Sequence, residues 1–139
     1  MIEDVVRANR SYRRFHEGRR IEPEILRSLV NLGRLSPSAA NLQPLKYITS
    51  SDPEVNKRIF PTLAWAGYLK DWGGPAEGER PSAYIVILGD KEISASFGCD
   101  YGIAAQSIML GAAERGLGGC MIGSIDQPGL RQALSIPPR

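Results

Sequence analysis

The chain has 139 residues and a mass of 15.2 kDa; 42% of the residues are hydrophobic, 23% are charged and the net charge is +2 at pH 7. These values are typical of one globular domain. The longest stretch without a charge, residues 101–113, is too short for a membrane-spanning helix, which needs about 18 apolar residues. The first residues are acidic, unlike a signal peptide. We therefore expect a cytoplasmic protein with no membrane partner.

Few residues suit hydrolytic or metal chemistry. Cys99 and Cys120 form no CxxC pair and no metal-ligand spacing, so we expect two buried thiols in a reducing compartment. His16 is the single histidine and lies among charged residues, which favours a solvated side chain over a catalytic base. We predict no metal site and no catalytic side chain. If the protein is an enzyme, a cofactor supplies the chemistry.

The predicted order of elements is helix, helix, strand, helix, aromatic loop, strand, helix, strand and helix. Helices are predicted at residues 2–8, 22–35, 53–60, 97–116 and 126–134, and strands at residues 45–49, 83–88 and 119–123. Pro23 suits a first helical turn, and Asp52 and Asp126 suit N-caps. The strand at residues 83–88 is continuously apolar, which predicts a central position buried on both faces. The residue pattern alone leaves α+β and α/β classes open.

The long helix is unusually rich in small residues. Ten of the twenty residues 97–116 are Gly, Ala, Ser or Cys. Gly98, Gly102 and Gly111 each cost about 0.8–1 kcal/mol relative to Ala inside a helix. We expect this cost to be offset by close packing of the small face against another backbone, either within the subunit or across a dimer interface.

Residues 61–80 form a loop or a broken helix that carries large aromatic side chains. Trp65, Tyr68 and Trp72 lie here between prolines and a pair of glycines. Two interpretations stay open: a surface segment that folds back on the core, or a lid over a flat ligand.

The positive charge is concentrated at the N-terminus. The first twenty residues contain six arginines and three acidic residues, and no lysine precedes Lys46. A solvated basic face and a phosphate-binding surface are both compatible with this pattern, because guanidinium groups match phosphate oxygens. A nucleic-acid surface is disfavoured, since no basic run with interleaved aromatic residues recurs later.

Two segments suit a planar, anionic cofactor. Residues 10–14 (Arg-Ser-Tyr-Arg-Arg) place guanidinium groups and hydroxyls within five residues, which is a compact arrangement for holding a phosphate. Residues 37–44 combine small side chains with the amides of Asn41 and Gln43, which can hydrogen-bond to the edge of a heterocycle.

Four motifs together resemble the FMN-dependent nitroreductase family. They are Arg-Ser-Tyr-Arg-Arg-Phe at residues 10–15, Ser-Pro-Ser-Ala-Ala-Asn-Leu-Gln-Pro at 36–44, Gly-Ile-Ala-Ala-Gln at 102–106 and Gly-Leu-Gly-Gly-Cys-Met-Ile-Gly at 116–123. The resemblance covers nearly the whole chain, with the motifs in the family's order. It implies an α+β fold, with a small, mainly antiparallel sheet flanked by helices, and a homodimer that binds FMN at the subunit interface.

The resemblance also implies roles for individual residues. The phosphate would be held by Arg10, Ser11 and Arg13, with Arg14 a weaker candidate. Pro37, Ser38, Ala39, Asn41 and Gln43 would lie against the flavin ring from the partner subunit, and Met121, Ile122 and Gly123 would approach its reactive nitrogen. The small-residue helix would lie at the dimer interface.

The implied activity is an NAD(P)H-dependent oxidoreductase that passes hydride through FMN to an electron-poor acceptor, such as a nitroaromatic or a quinone. Trp65, Tyr68 and Trp72 are the candidates for stacking on the acceptor. The alternative is a flavin-binding carrier or sensor without turnover. We expect one domain over residues 1–139 that lacks the C-terminal strand, basic residue and arm usual in the family.

Overall fold

The computed structural model describes residues 1–138, and Arg139 lies outside the described residues. This part of the chain contains five helices and two strands. The helices are α1 (Ile2–Ala8), α2 (Pro23–Leu35), α3 (Pro53–Ile59), α4 (Asp100–Glu114) and α5 (Gln127–Leu134); the strands are β1 (Leu45–Ser50) and β2 (Tyr84–Gly89); 3-10 turns occupy Ala39–Asn41 and Phe60–Thr62. In the sequence, β1 lies between α2 and α3, and β2 lies between α3 and α4. The α+β class implied by the resemblance is confirmed.

The helix termini follow the predicted capping chemistry. The Asp52 side chain accepts a hydrogen bond from the Glu54 amide at 2.8 Å, and Asp126 accepts one from the Gly129 amide at 3.2 Å. Each carboxylate satisfies an amide that has no partner within its helix. Helix α2 ends before Ser36, whose extended backbone precedes a proline, as the sequence predicts.

The sheet is smaller than the sequence predicts. Strands β1 and β2 pair antiparallel, with Tyr47 opposite Ile87, and they are the two strands found in residues 1–138. The predicted central position of β2 is wrong: β2 has a single neighbouring strand, and its residues are half-buried. The predicted strand at residues 119–123 is also wrong, because Gly119 forms only an isolated bridge with Ser11.

The core lies between α2, α4 and the sheet. Leu29, Ile108 and Ala112 form its centre. A Cβ at Gly111 would lie 2.1 Å from a methyl carbon of Leu32, so this glycine lets α2 approach α4 closely. At Gly111, the small-residue face of the long helix therefore packs closely within the chain, as expected.

The N-terminal part of α4 departs from the prediction. The helix begins at Asp100 rather than at residue 97, because Gly98 adopts a left-handed conformation with φ of 50°. A Cβ at Gly102 would meet no atom within 4 Å, so the side of α4 at Gly102 is open, although Asp100 and Ala104 beside it are buried.

Two further expectations have different outcomes. The expected burial of both thiols is wrong, since Cys99 is exposed and Cys120 is half-buried. His16 is exposed, as predicted. None of the helices in residues 1–138 combines the length and the hydropathy that crossing a bilayer requires.

Candidate functional site

The arginine-rich segment 10–15 is attached to the glycine-rich segment that follows α4. The Tyr12 amide donates a hydrogen bond to the Gly119 carbonyl at 2.9 Å, and Ser11 forms a parallel bridge with Gly119. The Tyr12 hydroxyl donates to the Ala8 carbonyl at 3.2 Å. These contacts place two motifs from opposite ends of the sequence side by side.

Gly118 permits this close approach. A Cβ at Gly118 would lie 2.6 Å from Cδ2 of the Tyr12 ring, which is far inside ordinary contact distance. Any larger residue would displace the ring or the backbone. The Tyr12 ring that packs over it therefore explains Gly118 in the glycine-rich motif.

Two of the predicted phosphate-binding arginines keep guanidinium donors available. Arg10 is exposed, and its side chain donates no hydrogen bond within residues 1–138. Arg13 is half-buried; its Nη1 donates to the Ser11 carbonyl at 3.3 Å, and its guanidinium carbon lies 5.5 Å from the centroid of the Tyr68 ring. The remaining donors of both side chains can reach a ligand.

Arg14 is engaged elsewhere. Its Nε donates to Oε2 of Glu79 at 3.0 Å, and its Nη2 forms a second bond to the same carboxylate. This hydrogen bonding holds the pKa of Glu79 below its ordinary value and raises the pKa of Arg14. Since the bidentate pair uses the guanidinium fork, Arg14 is less available to a phosphate than Arg10 or Arg13.

The bend between α2 and β1 is strained and braced by its own side chains. Ala40, Asn41 and Gln43 have φ of 50°, 53° and 52°, a region that costs a residue other than glycine about 1–3 kcal/mol. The Gln43 amide donates to Ser38 Oγ at 2.9 Å, and Gln43 Nε2 donates to Asn41 Oδ1 at 3.0 Å. Strain of this kind clusters at ligand sites, where surrounding contacts maintain it.

Asp100 anchors the bend to the first turn of α4. Its Oδ1 accepts a hydrogen bond from the Ala39 amide at 3.0 Å, and the residue is only 4% exposed. With Ser38 and Gln43 it lines part of a cavity of about 240 Å³ beneath the bend. Sequence reasoning missed Asp100, whose only signal was an acidic residue near a helix start, a common feature of helices.

Residues 121–123 form a short stretch of accessible backbone that is held at both ends. Met121 and Gly123 are exposed, and Ile122 is half-buried. The bridge at Gly119 fixes one end, and the Ala64 amide, which donates to the Ser124 carbonyl at 3.0 Å, fixes the other. No backbone hydrogen bond within residues 1–138 uses the amides of 121–123. Three N–H groups therefore stay available to a ligand.

The three aromatic residues predicted to contact substrate have different environments. Trp65 is 8% exposed and packs against Phe15 and Phe60, with ring centroids 6.4 and 6.1 Å apart. Because its ring is enclosed, Trp65 is a packing residue in this chain, and its predicted stacking role needs correction. Tyr68 is 69% exposed and Trp72 is half-buried, so both remain accessible.

Cys120 lies beside this region but carries no activated thiolate. Burial raises the pKa of its thiol, and the charge of Arg13 offsets only part of that effect. The described residues also contain no group of three potential metal ligands among His, Cys, Asp and Glu.

Comparison with known proteins identifies the fold to which this geometry belongs. The model of the nitroreductase family matches residues 6–74 and 75–139. The chain belongs to the nitroreductase family. A protein of Bacillus subtilis (strain 168) named as the NAD(P)H nitroreductase MhqN is 32% identical over 88 residues, which cover 63% of this chain and 38% of that protein. The matched region is thus well under half of this relative.

Solved structures share the nitroreductase fold. A nitroreductase family protein from Clostridium novyi NT is 21% identical, has a TM-score of 0.79, and covers 99% of this chain and 78% of its own. A nitroreductase from Exiguobacterium sibiricum 255-15, solved in complex with FMN, is 18% identical with a TM-score of 0.79, covering 99% and 81%.

In this nitroreductase-family chain, the predicted site residues form two groups. The first joins Ser11 and Arg13 to residues 118–123, with Tyr68 against Arg13. The second is the braced bend at residues 37–43, held on α4 by Asp100. Within residues 1–138, no hydrogen bond of residues 10–13 runs to the bend.

Proposed function

We propose that the protein binds FMN and passes reducing equivalents from NAD(P)H to an electron-poor acceptor, such as a nitroaromatic or a quinone, in the cytoplasm. The observation that carries this proposal is the bridge between Ser11 and Gly119, which joins the arginine-rich segment to the segment whose amides at residues 121–123 have no backbone partner within residues 1–138. The names of the related proteins, which include an NAD(P)H nitroreductase and a complex with FMN, support the same function.

The residues of the first group fit the phosphate of FMN. Arg10 and Arg13 offer unpaired guanidinium donors, and the Ser11 hydroxyl lies between them in sequence. Charge-assisted hydrogen bonds to phosphate are stronger than neutral ones, and the planar fork of arginine can donate two at once. We assign these three residues to phosphate binding.

The backbone of residues 121–123 fits the ring of the cofactor. When bound, FMN supplies the group that accepts and donates hydride, so no protein acid or base is required. The free N–H groups of Met121, Ile122 and Gly123 are donors fixed in position, which favours negative charge on a ring held against them. The open space at Gly123 leaves room for a flat ligand to approach the backbone.

The bend supplies the opposite wall of the site, and we propose that it does so from a second copy of the chain. The side chains and peptide groups of Pro37, Ser38, Ala39, Asn41 and Gln43 are the candidates for contact with the ring. The surface of α4 fits this arrangement: Tyr101 is 57% exposed, Ile103 is exposed, and Gly102 faces open space. Burying this surface in a homodimer would bring the two groups together.

We assign Tyr68 and Trp72 to contact with the electron acceptor. Tyr68 lies against Arg13, so an acceptor that stacks on Tyr68 would lie close to the proposed cofactor. The aromatic faces suit electron-poor rings.

Steady-state kinetics test the proposal. Protein saturated with FMN is mixed with NADH or NADPH and with a nitroaromatic or a quinone, and oxidation of the nicotinamide is followed. We expect turnover that depends on both the reductant and the acceptor. Protein that binds FMN but whose flavin is not reduced by either nicotinamide would instead be the carrier or sensor, and the oxidoreductase would be rejected.

A further inference from the structure

A second cavity, of about 180 Å³, lies apart from the residues assigned to the cofactor. Its walls come from the turn after residue 16, from α3 and from the loop that leads into β2. None of the residues that we assign to phosphate or ring binding lines it. Its lining is rich in hydrogen-bond donors and positive charge, mainly from Arg20, Lys57, Arg80 and Tyr84.

Arg80 is the central side chain of this cavity. Its guanidinium carbon lies 4.3 Å from the centroid of the Phe60 ring, so stacking fixes the position of the charge. Its Nε is buried and has no hydrogen-bond partner within residues 1–138. The terminal Nη1 and Nη2 also donate no hydrogen bond within residues 1–138, and these are the donors left for an anion in the cavity.

The charges around Arg80 leave the cavity positive. Arg20 forms no ion pair within the described residues, while Lys57 pairs with Glu54 at 2.8 Å. Glu17 is the one carboxylate in the lining, and its Oε2 accepts hydrogen bonds from backbone amides of the loop before β2. Glu17 holds the loop through these bonds, and its negative charge offsets one of the two arginines, so the lining keeps a net positive charge.

Hydroxyl groups complete the set of donors. Ser51, Ser82 and Tyr84 all line the cavity. Burial and the charge of Glu17 raise the pKa of Tyr84, so its phenol stays protonated and can donate. Arginine and hydroxyl groups that line a small cavity are the hydrogen-bond donors that bind a tetrahedral dianion such as phosphate.

We propose that this cavity binds a phosphate dianion, free or as a monoester of a small molecule, with Arg20 and Arg80 as its main ligands. The site is separate from the proposed phosphate site at Arg10 and Arg13. Arg20 is exposed and reaches the ligand from the solvent side, whereas Arg80 provides the fixed, stacked charge.

Calorimetric titration of the whole chain in a phosphate-free buffer tests this site. Inorganic phosphate and phenyl phosphate are the probes, each added before and after saturation with FMN. We expect one site to remain after FMN is bound, and tighter binding of phenyl phosphate would identify the ligand as an ester. If neither probe binds at concentrations up to about 10 mM, the proposed site is rejected.

Matched variants separate this site from the cofactor site. We expect Arg20→Ala and Arg80→Met to weaken binding of the probe about tenfold each, because each removes a charge-assisted hydrogen bond. Methionine keeps an unbranched side chain over Phe60. If Arg80→Met fails to fold, Arg20→Ala still tests the site, because it changes an exposed residue. Arg27→Ala, an exposed arginine outside the cavity, is the control. If the probe's affinity depends on Arg10 and not on Arg20, the inference is wrong while FMN binding stands.

Discussion

The carboxylate of Asp100 accepts a hydrogen bond from the Ala39 amide at 3.0 Å. This contact joins the first turn of the long helix α4 to the strained bend that carries the proposed ring-binding residues. Since three residues of the bend have left-handed backbone, external contacts must maintain its shape.

Replacement of Asp100 tests this anchoring. We expect Asp100→Ala to reduce the free energy of unfolding by about 1–3 kcal/mol, because the Ala39 amide loses its acceptor and the buried carboxylate leaves a gap beneath the bend. Asp100→Asn keeps a side-chain oxygen and should lose less. Urea unfolding gives the stability, and an FMN titration gives the affinity. If the alanine variant matched the wild type in both, Asp100 would not position the bend.

Gly118 and Tyr12 should be energetically coupled. Gly118→Ala places a methyl carbon 2.6 Å from Cδ2 of Tyr12, so we expect a loss of about 1–3 kcal/mol in the free energy of unfolding. In a Tyr12→Ala background the same change should cost under about 0.5 kcal/mol. Gly123→Ala, at an open position, is the control for stability. Equal costs in both backgrounds would show that the ring is not the obstacle.

The arginines of the N-terminal segment should contribute unequally to FMN affinity. We expect Arg10→Ala and Arg13→Ala each to weaken binding about tenfold or more, because each removes charge-assisted donors to the phosphate. Arg14→Ala should have little effect, since Arg14 is paired with Glu79. Fluorescence titration with FMN measures all three. A dominant effect of Arg14 would reverse the assignment.

The regular elements were predictable because their signals are local. Pro23, Asp52 and Asp126 mark helix starts through their own backbone and side-chain chemistry, and the structure places helices where these residues predict them. The phosphate-binding candidates were also recognisable, as a short run of arginines. The site roles of these residues stay predictions.

The errors arise where tertiary contacts decide the outcome. Residues 119–123 combine glycines with apolar residues, as strands often do, but only Gly119 has a backbone partner, so no strand extends from it. The burial of Trp65 depends on Phe15 and Phe60, which no spacing rule brings to it. Asp100 likewise acts through a residue 61 positions away.

The two thiols should differ in reactivity. Burial raises the pKa of the Cys120 thiol, so at pH 8 a smaller fraction of this thiol is ionised than in an exposed cysteine. Alkylation of Cys120 should therefore accelerate only at higher pH. Exposed Cys99 should react first with iodoacetamide. Mass spectrometry of the labelled peptides measures both rates, and the difference should disappear in urea. Faster labelling of Cys120 in the folded protein would contradict its described environment.

The exposed face of α4 should mediate self-association. We expect light scattering to give twice the chain mass of 15.2 kDa for the wild type. Ile103→Glu should shift the protein to the monomer and weaken FMN binding, because the proposed ring site needs both copies. Leu35→Glu, an exposed apolar position outside α4, serves as the control. A wild-type monomer that binds FMN tightly would rule out the shared site.

The most direct measurement is anaerobic rapid mixing of the FMN-saturated protein with NADH and with NADPH, followed by flavin absorbance. We predict that the protein retains FMN through gel filtration, that at least one nicotinamide bleaches the flavin, and that an added quinone or nitroaromatic restores the colour. A protein that retains no FMN, or whose bound flavin keeps its absorbance with both reductants, would contradict the proposed oxidoreductase.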